Sequence, residues 1–256
     1  IRQTITKYHF ECDYQVQDSL FVANTRRGWK HVTSEHEARR QLGYTSTLYP
    51  QTTLTQIVGS KDYVGAVRYP ETFGINSYLY CQALAEHLVA SGVEIFEQSR
   101  VITINADTVT TAQGQIRANQ IIICGDRFIP DLGVLKQEIY HVQTFLGISE
   151  PLSAQAVQTI FPTDNMMAWD TDLVYNYFRL TGDNRLLVGG GDVLYTYAHN
   201  PATAVDRFSR RLHAYLHQKF PTLDFKFEHV WPGMLGVSKD LLPVIGTDPR
   251  FPNVFY

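Results

Sequence analysis

The stretch YNYFRLTGDNRLLVGGGD, Tyr175 to Asp192, carries the reading of the whole chain. Two alternating runs meet at Thr181-Gly182-Asp183-Asn184, a cluster of turn formers, so the segment predicts two antiparallel strands joined by a tight turn. The closing triplet Gly189-Gly190-Gly191 invites a phosphate-binding reading. A phosphate cradle, however, needs a glycine-rich turn that opens a helix, whose free N–H groups then face the anion. The residues after Asp192, VLYTYAHN, continue a β-like alternation, and a helical pattern begins only at Pro201. No GxGxxG or GxxxxGK[ST] occurs in the 256 residues. The glycines therefore read as a bulge or a close approach of a ligand or another backbone. Tyr175, Tyr177 and Arg179 stand at i, i+2 and i+4 and share one face of the first strand. Two phenols and a guanidinium suit a small carboxylate held beside an aromatic wall, although a solvent-facing stack of Tyr and Arg fits the same pattern.

Composition narrows the class. A net charge of −3 gives no basic stripe for nucleic acid. The 12% aromatic content favours sheet and a lined pocket over a helical bundle. No apolar run approaches the roughly 18 residues that a membrane span requires, and no signal peptide pattern opens the chain. Cys12, Cys81 and Cys124 are odd in number and widely spaced, which argues against a disulfide scaffold or a zinc site and for a cytoplasmic setting. Ile1 begins in mid-pattern, and the final Asn-Val-Phe-Tyr reads as the first half of a buried strand. The expectation is an internal fragment of a longer protein.

Along the chain, Asp13–Thr25 reads as a hairpin turning at Gln17-Asp18-Ser19. Ser34 and Glu37 form a capping box for a short, solvated helix ending at Gly43. The clearest unit follows. Asn76 or Ser77 caps a helix whose apolar positions are Leu79, Ala83, Leu84 and Leu88, and Gly92 ends it. VEIFEQSRVITI then predicts a strand, and a hairpin turns at Gln113-Gly114. Ile121-Ile122-Ile123, leading to Cys124-Gly125, predicts a strand buried on both faces, as in a parallel sheet. From Ile139 onward, long alternating strands without intervening helices predict an antiparallel sheet. Asn200-Pro201 opens a helix with Ala204, Phe208, Leu212, Tyr215 and Leu216 on one face. The fold class expected is thus mixed α/β and α+β: an antiparallel sheet with flanking helices, interleaved with a partial α/β unit.

Acid–base and metal machinery leaves no signature. The nine histidines form no HxH or HExxH, and His213 and His217 read as a helix surface. No GxSxG elbow and no reactive cysteine context occurs. Hydride chemistry needs little of this, because a cofactor can carry it while the protein binds and orients.

Four segments in order then carry a resemblance. These are GAVRYPETFGINSYLYCQALAEHLVASGVEIFEQSRV, RANQIIICGD, YFRLTGDNRLLVGGGD and KFPTLDFKFEHVWPGMLGVSKDLLPVIG. Together the chain resembles, over nearly its full length, the FAD-dependent amino-acid and amine oxidase family. The resemblance implies an FAD domain interleaved with an antiparallel substrate-binding (cap) sheet, here 1–69 and 135–228 for the cap and 70–134 and 229–256 for a partial FAD domain. It implies oxidation of the C–N bond of an amine or amino acid, with hydride passing to the flavin. Val101 matches the position at the adenine end of FAD, and Cys124-Gly125 match the Thr-Gly closing the cofactor strand. Gly233, Pro243 and Gly246 match the segment nearest the isoalloxazine, and Tyr177 and Arg179 match the substrate strand. Tyr175, Asn76 and Lys239 join the expected substrate-binding set, while no catalytic residue and no metal ligand is assigned. Asn76-Ser77, Asp126 and Lys239 depart from the commoner family residues. The GxGxxG strand is expected upstream of Ile1, so that this chain alone is expected to bind FAD weakly or not at all. Alternatives are an FAD enzyme for a 2-hydroxy acid or a polyol phosphate, and a non-catalytic ligand-binding module.

Overall fold

The computed structural model describes residues 1–194 and 201–256, with side chains for all of these except 191–194 and 201–204. All but the first two residues of the VLYTYAHN alternation, including the cap at Asn200, lie outside the described residues, as does the facing of Ala204. Two compact units emerge. The first holds Ile1–Leu88, Thr144–Asp192 and residues 201–232; the second holds Val89–Gln143 and Gly233–Tyr256. The division falls at 88/89, 143/144 and 232/233, where the sequence reading places 69/70, 134/135 and 228/229.

An eight-stranded sheet organises the first unit. Its strands run in the order Phe227–Ser238, Ile139–Pro151, Arg185–Leu194, Tyr177–Leu180, Met167–Asp170, Ser19–Ala23, Gly65–Tyr69 and Thr47–Pro50. Period-two alternation sorts its side chains to two faces. Leu20, Val22, Ala66, Ala168, Phe178, Leu180, Leu186 and Val188 form one side, closed by Ile160, Leu212, Leu216 and Phe220. Phe21, Ala23, Val67 and Tyr69 form the other, with Val32, Trp29, Leu48 and Trp169. Val32 and Trp29 come from the helix Arg26–Gln41, and Leu212 and Leu216 from the helix Pro201–Lys219. The result is three layers, helix on sheet on helix, as expected when both faces of a sheet are apolar.

The turn at 181–184 forms as the sequence predicts: Thr181 N–H donates to the Arg185 carbonyl, and Asn184 takes φ 59°. Three other expectations in this half are overturned. Asp13–Thr25 is not a hairpin, because Gln15–Val16 pairs with Phe73–Gly74 and Ser19–Ala23 pairs with Gly65–Tyr69. The helix placed at Ser34 begins at Arg26, capped by Thr25, whose Oγ1 accepts from Gly28 N–H at 3.0 Å. Gly28 and Val32 are buried while Arg26, Arg27, Lys30 and His31 are exposed, so the helix is amphipathic from its first turn rather than solvated throughout. The sheet is also not wholly antiparallel, since Met167–Asp170 runs parallel to Ser19–Ala23.

Asn76 caps the helix Ser77–Ala90, its Oδ1 accepting from the N–H groups of Tyr78 and Leu79 at 3.1 and 3.2 Å. The face this helix lays on Ile5, Phe10 and Cys12 is Tyr80, Ala83 and Leu84, while Leu79 stays exposed.

In the second unit, Thr108–Thr111 and Gln115–Arg117 form the expected hairpin, and Val101–Ile104 adds a third strand to it. The predicted strand over 93–104 shrinks to its last four residues. Ile121–Ile122 pairs in parallel with Phe251–Phe255. Ile121 and Ile123 are buried but Ile122 is 72% exposed, so this strand is covered on one face among the described residues.

Phe178, packed between the rings of Phe161 and Phe220, is 2% exposed. Phe178→Ala is expected to cost about 3–5 kcal/mol in urea denaturation. Thr25→Ala, which removes a helix cap, should cost about 1 kcal/mol by the same measurement.

Candidate functional site

Strand register brings the candidate substrate residues into rows. Trp169 pairs with Phe21 on one side and Tyr177 on the other, and Tyr177 pairs with Gly189. The next row on that face is Ser19, Met167, Arg179 and Leu187. Phe178 and Leu180 point into the core between these positions, so Tyr177 and Arg179 share the opposite face. Tyr175 lies just before the strand, its ring 5.8 Å from that of Tyr177. The rings of Phe21 and Trp169 stack at 5.3 Å, and Tyr69 stacks on Trp169 at 5.8 Å. An aromatic row thus crosses four strands and ends at Tyr175 and Tyr177.

Two glycines of the triplet, Gly189 and Gly190, receive their physical reason here. A Cβ at Gly189 would collide with the Tyr177 ring, which lies across that backbone. Gly190 takes φ 141°, and a Cβ there would meet Asn176 Oδ1 at 2.6 Å. The close approach foreseen in the sequence is made by the chain's own Tyr177 and Asn176.

Arg179 is half-buried. Its Nη1 donates to the Leu180 carbonyl at 3.2 Å and its Nη2 to the Ile75 carbonyl at 3.0 Å. Two of five guanidinium N–H donors are thereby placed on backbone, and the fork is fixed in orientation. Among the described residues no carboxylate lies within ion-pair distance of it. Burial pulls its pKa down, and the Asp13 charge only partly offsets that. Beside it, Gln17 donates from Nε2 to the Leu180 carbonyl at 2.9 Å, while its buried Oε1 has no hydrogen-bond partner among the described residues. Gly74 makes room for both, since a Cβ there would stand 2.8 Å from Arg179 Nη1 and from Gln17 Oε1.

The other candidate positions are placed elsewhere. Asn76 is the helix cap described above, one residue beyond the Ile75 carbonyl that Arg179 holds. Lys239 lies in the second unit, its N–H on the Glu138 carbonyl and its Nζ 3.5 Å from Glu138 Oε1. Val101, Cys124 and Gly125 come together there, lining a concavity of about 520 Å³ with Ile104, Ile122 and Phe128. Pro243 lines a second one of about 360 Å³ with Asp126, Ile129 and Gly236. Gly233 sits in the strand Phe227–Ser238, and Gly246 exchanges backbone hydrogen bonds with Tyr256.

The larger concavity fits part of a flavin dinucleotide. Its lining is chiefly Val, Ile, Leu and Phe side chains, which suit the flat, weakly polar face of an adenine. Arg100, paired with Asp131 at 3.1 Å, supplies charge among the lining residues. Among the described residues no group of His, Cys, Asp and Glu could hold a metal ion.

Sequence reading missed Trp169, Asn176 and Gln17. Trp169 was legible only as part of a strand; its place beside Tyr177 depends on the parallel pairing with Ser19–Ala23. Gln17 was read as part of a turn, and its burial comes from the pairing of Gln15–Val16 with Phe73–Gly74.

The family model described as FAD dependent oxidoreductase matches residues 1–256. The chain belongs to that family. It is 32% identical over 260 residues to the probable oxidoreductase OrdL of Haemophilus influenzae, covering 96% of this chain and 57% of that protein. It is 28% identical over 263 residues to the gamma-glutamylputrescine oxidoreductase of Escherichia coli, covering 100% of this chain and 59% of that one. The chain therefore spans less than two thirds of these relatives' length. Among solved structures, glycine oxidase from Geobacillus kaustophilus superposes with a TM-score of 0.81 at 16% identity, covering 99% of this chain and 68% of that one. L-proline dehydrogenase from P. horikoshii gives 0.83 at 17% identity, with coverage of 99% and 69%. These two likenesses show the fold, and the interleaved mixed α/β architecture expected from the sequence is the one found.

A methyl group at 189 has to displace the Tyr177 ring. Gly189→Ala is expected to lower stability by about 1–3 kcal/mol. Gly114→Ala, which meets nothing within 4 Å, should stay within about 0.5 kcal/mol in the same denaturation series.

Proposed function

We propose that this chain is the central and substrate-binding portion of an FAD-dependent oxidoreductase that oxidises the C–N bond of an amine or amino acid. The observation that carries the reading is Arg179, a half-buried guanidinium without a carboxylate partner among the described residues, set beside the ring of Tyr177 on an open sheet position. A cation only partly offset by Asp13 is costly in such a place unless an anion completes it, and a substrate carboxylate does so with two aligned N–H donors. Ile75 and Leu180 hold the fork in one orientation, so little ordering is left to occur on binding. Tyr175 and Tyr177 offer an apolar wall with hydroxyls for the substrate's carbon chain and polar end.

Within the second unit, Val101, Cys124 and Gly125 are the residues proposed to hold the adenine end of FAD, and Gly233, Pro243 and Gly246 those nearest its ring. When bound, FAD supplies the hydride acceptor. The chain's own contribution is binding, orientation and water exclusion. Gamma-glutamylputrescine, which the Escherichia coli relative's name specifies, combines an amine with a carboxylate and heads the substrate panel. A 2-hydroxy acid would satisfy Arg179 equally well, so the panel includes lactate and glycolate. No helix among the described residues is long and apolar enough to cross a membrane; a cytoplasmic setting is part of the proposal.

The test is oxidation of amines, amino acids and hydroxy acids by the full-length protein, read as dye reduction or peroxide. Turnover of hydroxy acids alone would overturn the C–N assignment, and no flavin band in the full-length protein would overturn FAD. Arg179→Ala should raise KM for a carboxylate-bearing substrate about tenfold or more while kcat changes less than about threefold. An unchanged KM removes Arg179 from the substrate's anchors.

A further inference from the structure

Asp170 ends the strand Met167–Asp170 and is 1% exposed. The six residues after it, Thr171 to Asn176, bulge from the sheet and return as Tyr177. One buried carboxylate closes that loop. Asp170 Oδ1 accepts from the N–H of Asp172 at 3.1 Å and of Asn176 at 3.3 Å, and Oδ2 accepts from Asn176 Nδ2 at 3.5 Å. The Asp170 N–H donates to the Asn176 carbonyl at 3.0 Å, which completes the ring. The tip of this closed loop is apolar and open: Leu173 is 99% exposed and Tyr175 44%.

Behind the carboxylate stands a polar cluster that none of the proposed chemistry uses. Asn24 and Tyr215 stand near Asp170, and the influence of Asn24 favours its charged form. Tyr215 and Tyr63 share a hydroxyl–hydroxyl bond of 3.1 Å. Lys219, 4% exposed, donates to Asn24 Oδ1 at 2.8 Å and Asp62 Oδ2 at 2.6 Å, and its ammonium lies 4.5 Å from the Tyr63 ring centroid. Burial pushes the Asp170 carboxyl up in pKa, and the Asp172 N–H is the strongest of the hydrogen bonds opposing it. A buried carboxylate that binds both the start and the end of a loop has one geometric consequence: it bears on where the chain re-enters the sheet at Tyr177.

We infer that Asp170 is a positioning residue, which pins the 171–176 loop and so sets the placement of Tyr175 and Tyr177 on the substrate face. The inference rests on the proposed function only in assigning those two tyrosines to a substrate; the pinning itself stands on the contacts. Asn176 transmits it, because its side chain is trapped between Asp170 and the backbone of Gly190.

Three readouts test it in the full-length protein. In hydrogen exchange of the unaltered protein, the amides of Asp172 and Asn176 should exchange about tenfold or more slowly than those of Leu173 and Val174. Equal rates would overturn the pinning without any variant having to fold. In limited digestion with chymotrypsin, Asp170→Ala should raise cleavage after Leu173 and Tyr175 by about tenfold over cleavage elsewhere, with Asp170→Asn in between, because its single oxygen retains part of the set. Uniform acceleration at all sites would mean a general loss of stability and would sink the positioning role. Finally, with the best substrate of the panel, Asp170→Ala should raise KM about tenfold with kcat within about threefold. A loosened loop with unchanged KM would overturn the link to the substrate face. An unaltered protein that oxidises nothing in the panel would instead count against the proposed function, while exchange and digestion still decide the pinning.

Discussion

The parallel pairing of Met167–Asp170 with Ser19–Ala23 is the contact on which the first unit depends. It joins a sequence-early group of strands to a sequence-late group, and without it the eight-stranded sheet would be two smaller sheets, each with an open edge. It also places Trp169 between Phe21 and Tyr177, so the same backbone hydrogen bonds build the core and align the aromatic row. The ordering cost of such a long-range pairing is offset by burial on both faces, where Leu20, Val22 and Ala168 meet one helical layer and Phe21 and Ala23 meet the other.

Polar groups in this unit follow a consistent rule. Where the sheet face is buried, charged side chains are partnered from several directions. Lys219 is tied to Asn24 and Asp62, and Asp170 to the loop it closes. Arg179 departs from that rule. Its guanidinium is held by two backbone carbonyls, neutral acceptors that orient it without cancelling its charge. A residual positive charge at a fixed place is what a binding site for small anions requires, and the cost of keeping it partly desolvated is borne by the surrounding core.

The candidate site was legible in proportion to how local its causes are. The alternation of Tyr175, Tyr177 and Arg179 and the turn at Thr181–Asn184 depend on neighbours in sequence, and both the shared face of Tyr177 and Arg179 and the turn were readable. The helix cap at Asn76 was readable for the same reason. Thr25 was missed as a cap because Ser34 and Glu37 offered a stronger local pattern, while the apolar contacts of Trp29 and Val32 with Phe21 and Val67 extended the helix toward its start. The hairpin expected at Asp13–Thr25 failed because Ser19–Ala23 finds a better partner in Gly65–Tyr69, with five paired positions against the few a two-residue strand could offer. Ile122 was expected to be covered because three consecutive isoleucines resemble a strand of a parallel sheet; among the described residues one side of that strand remains open.

By itself the sequence determined the mixed architecture, the family and the strand that carries Tyr177 and Arg179. These follow from period-two alternation, turn chemistry and the order of segments, all of which are properties of neighbouring residues. Only the tertiary structure decided that Trp169 extends the aromatic row, that Arg179 stands without a carboxylate partner among the described residues, and that Asp170 closes the loop before Tyr177. Each of those depends on which distant strands pair and which side chains are thereby removed from water. The three glycines stand between the two kinds of knowledge. Their need for space could be read from the sequence, but that Tyr177 fills it at Gly189 and Asn176 at Gly190 became visible only with the sheet assembled.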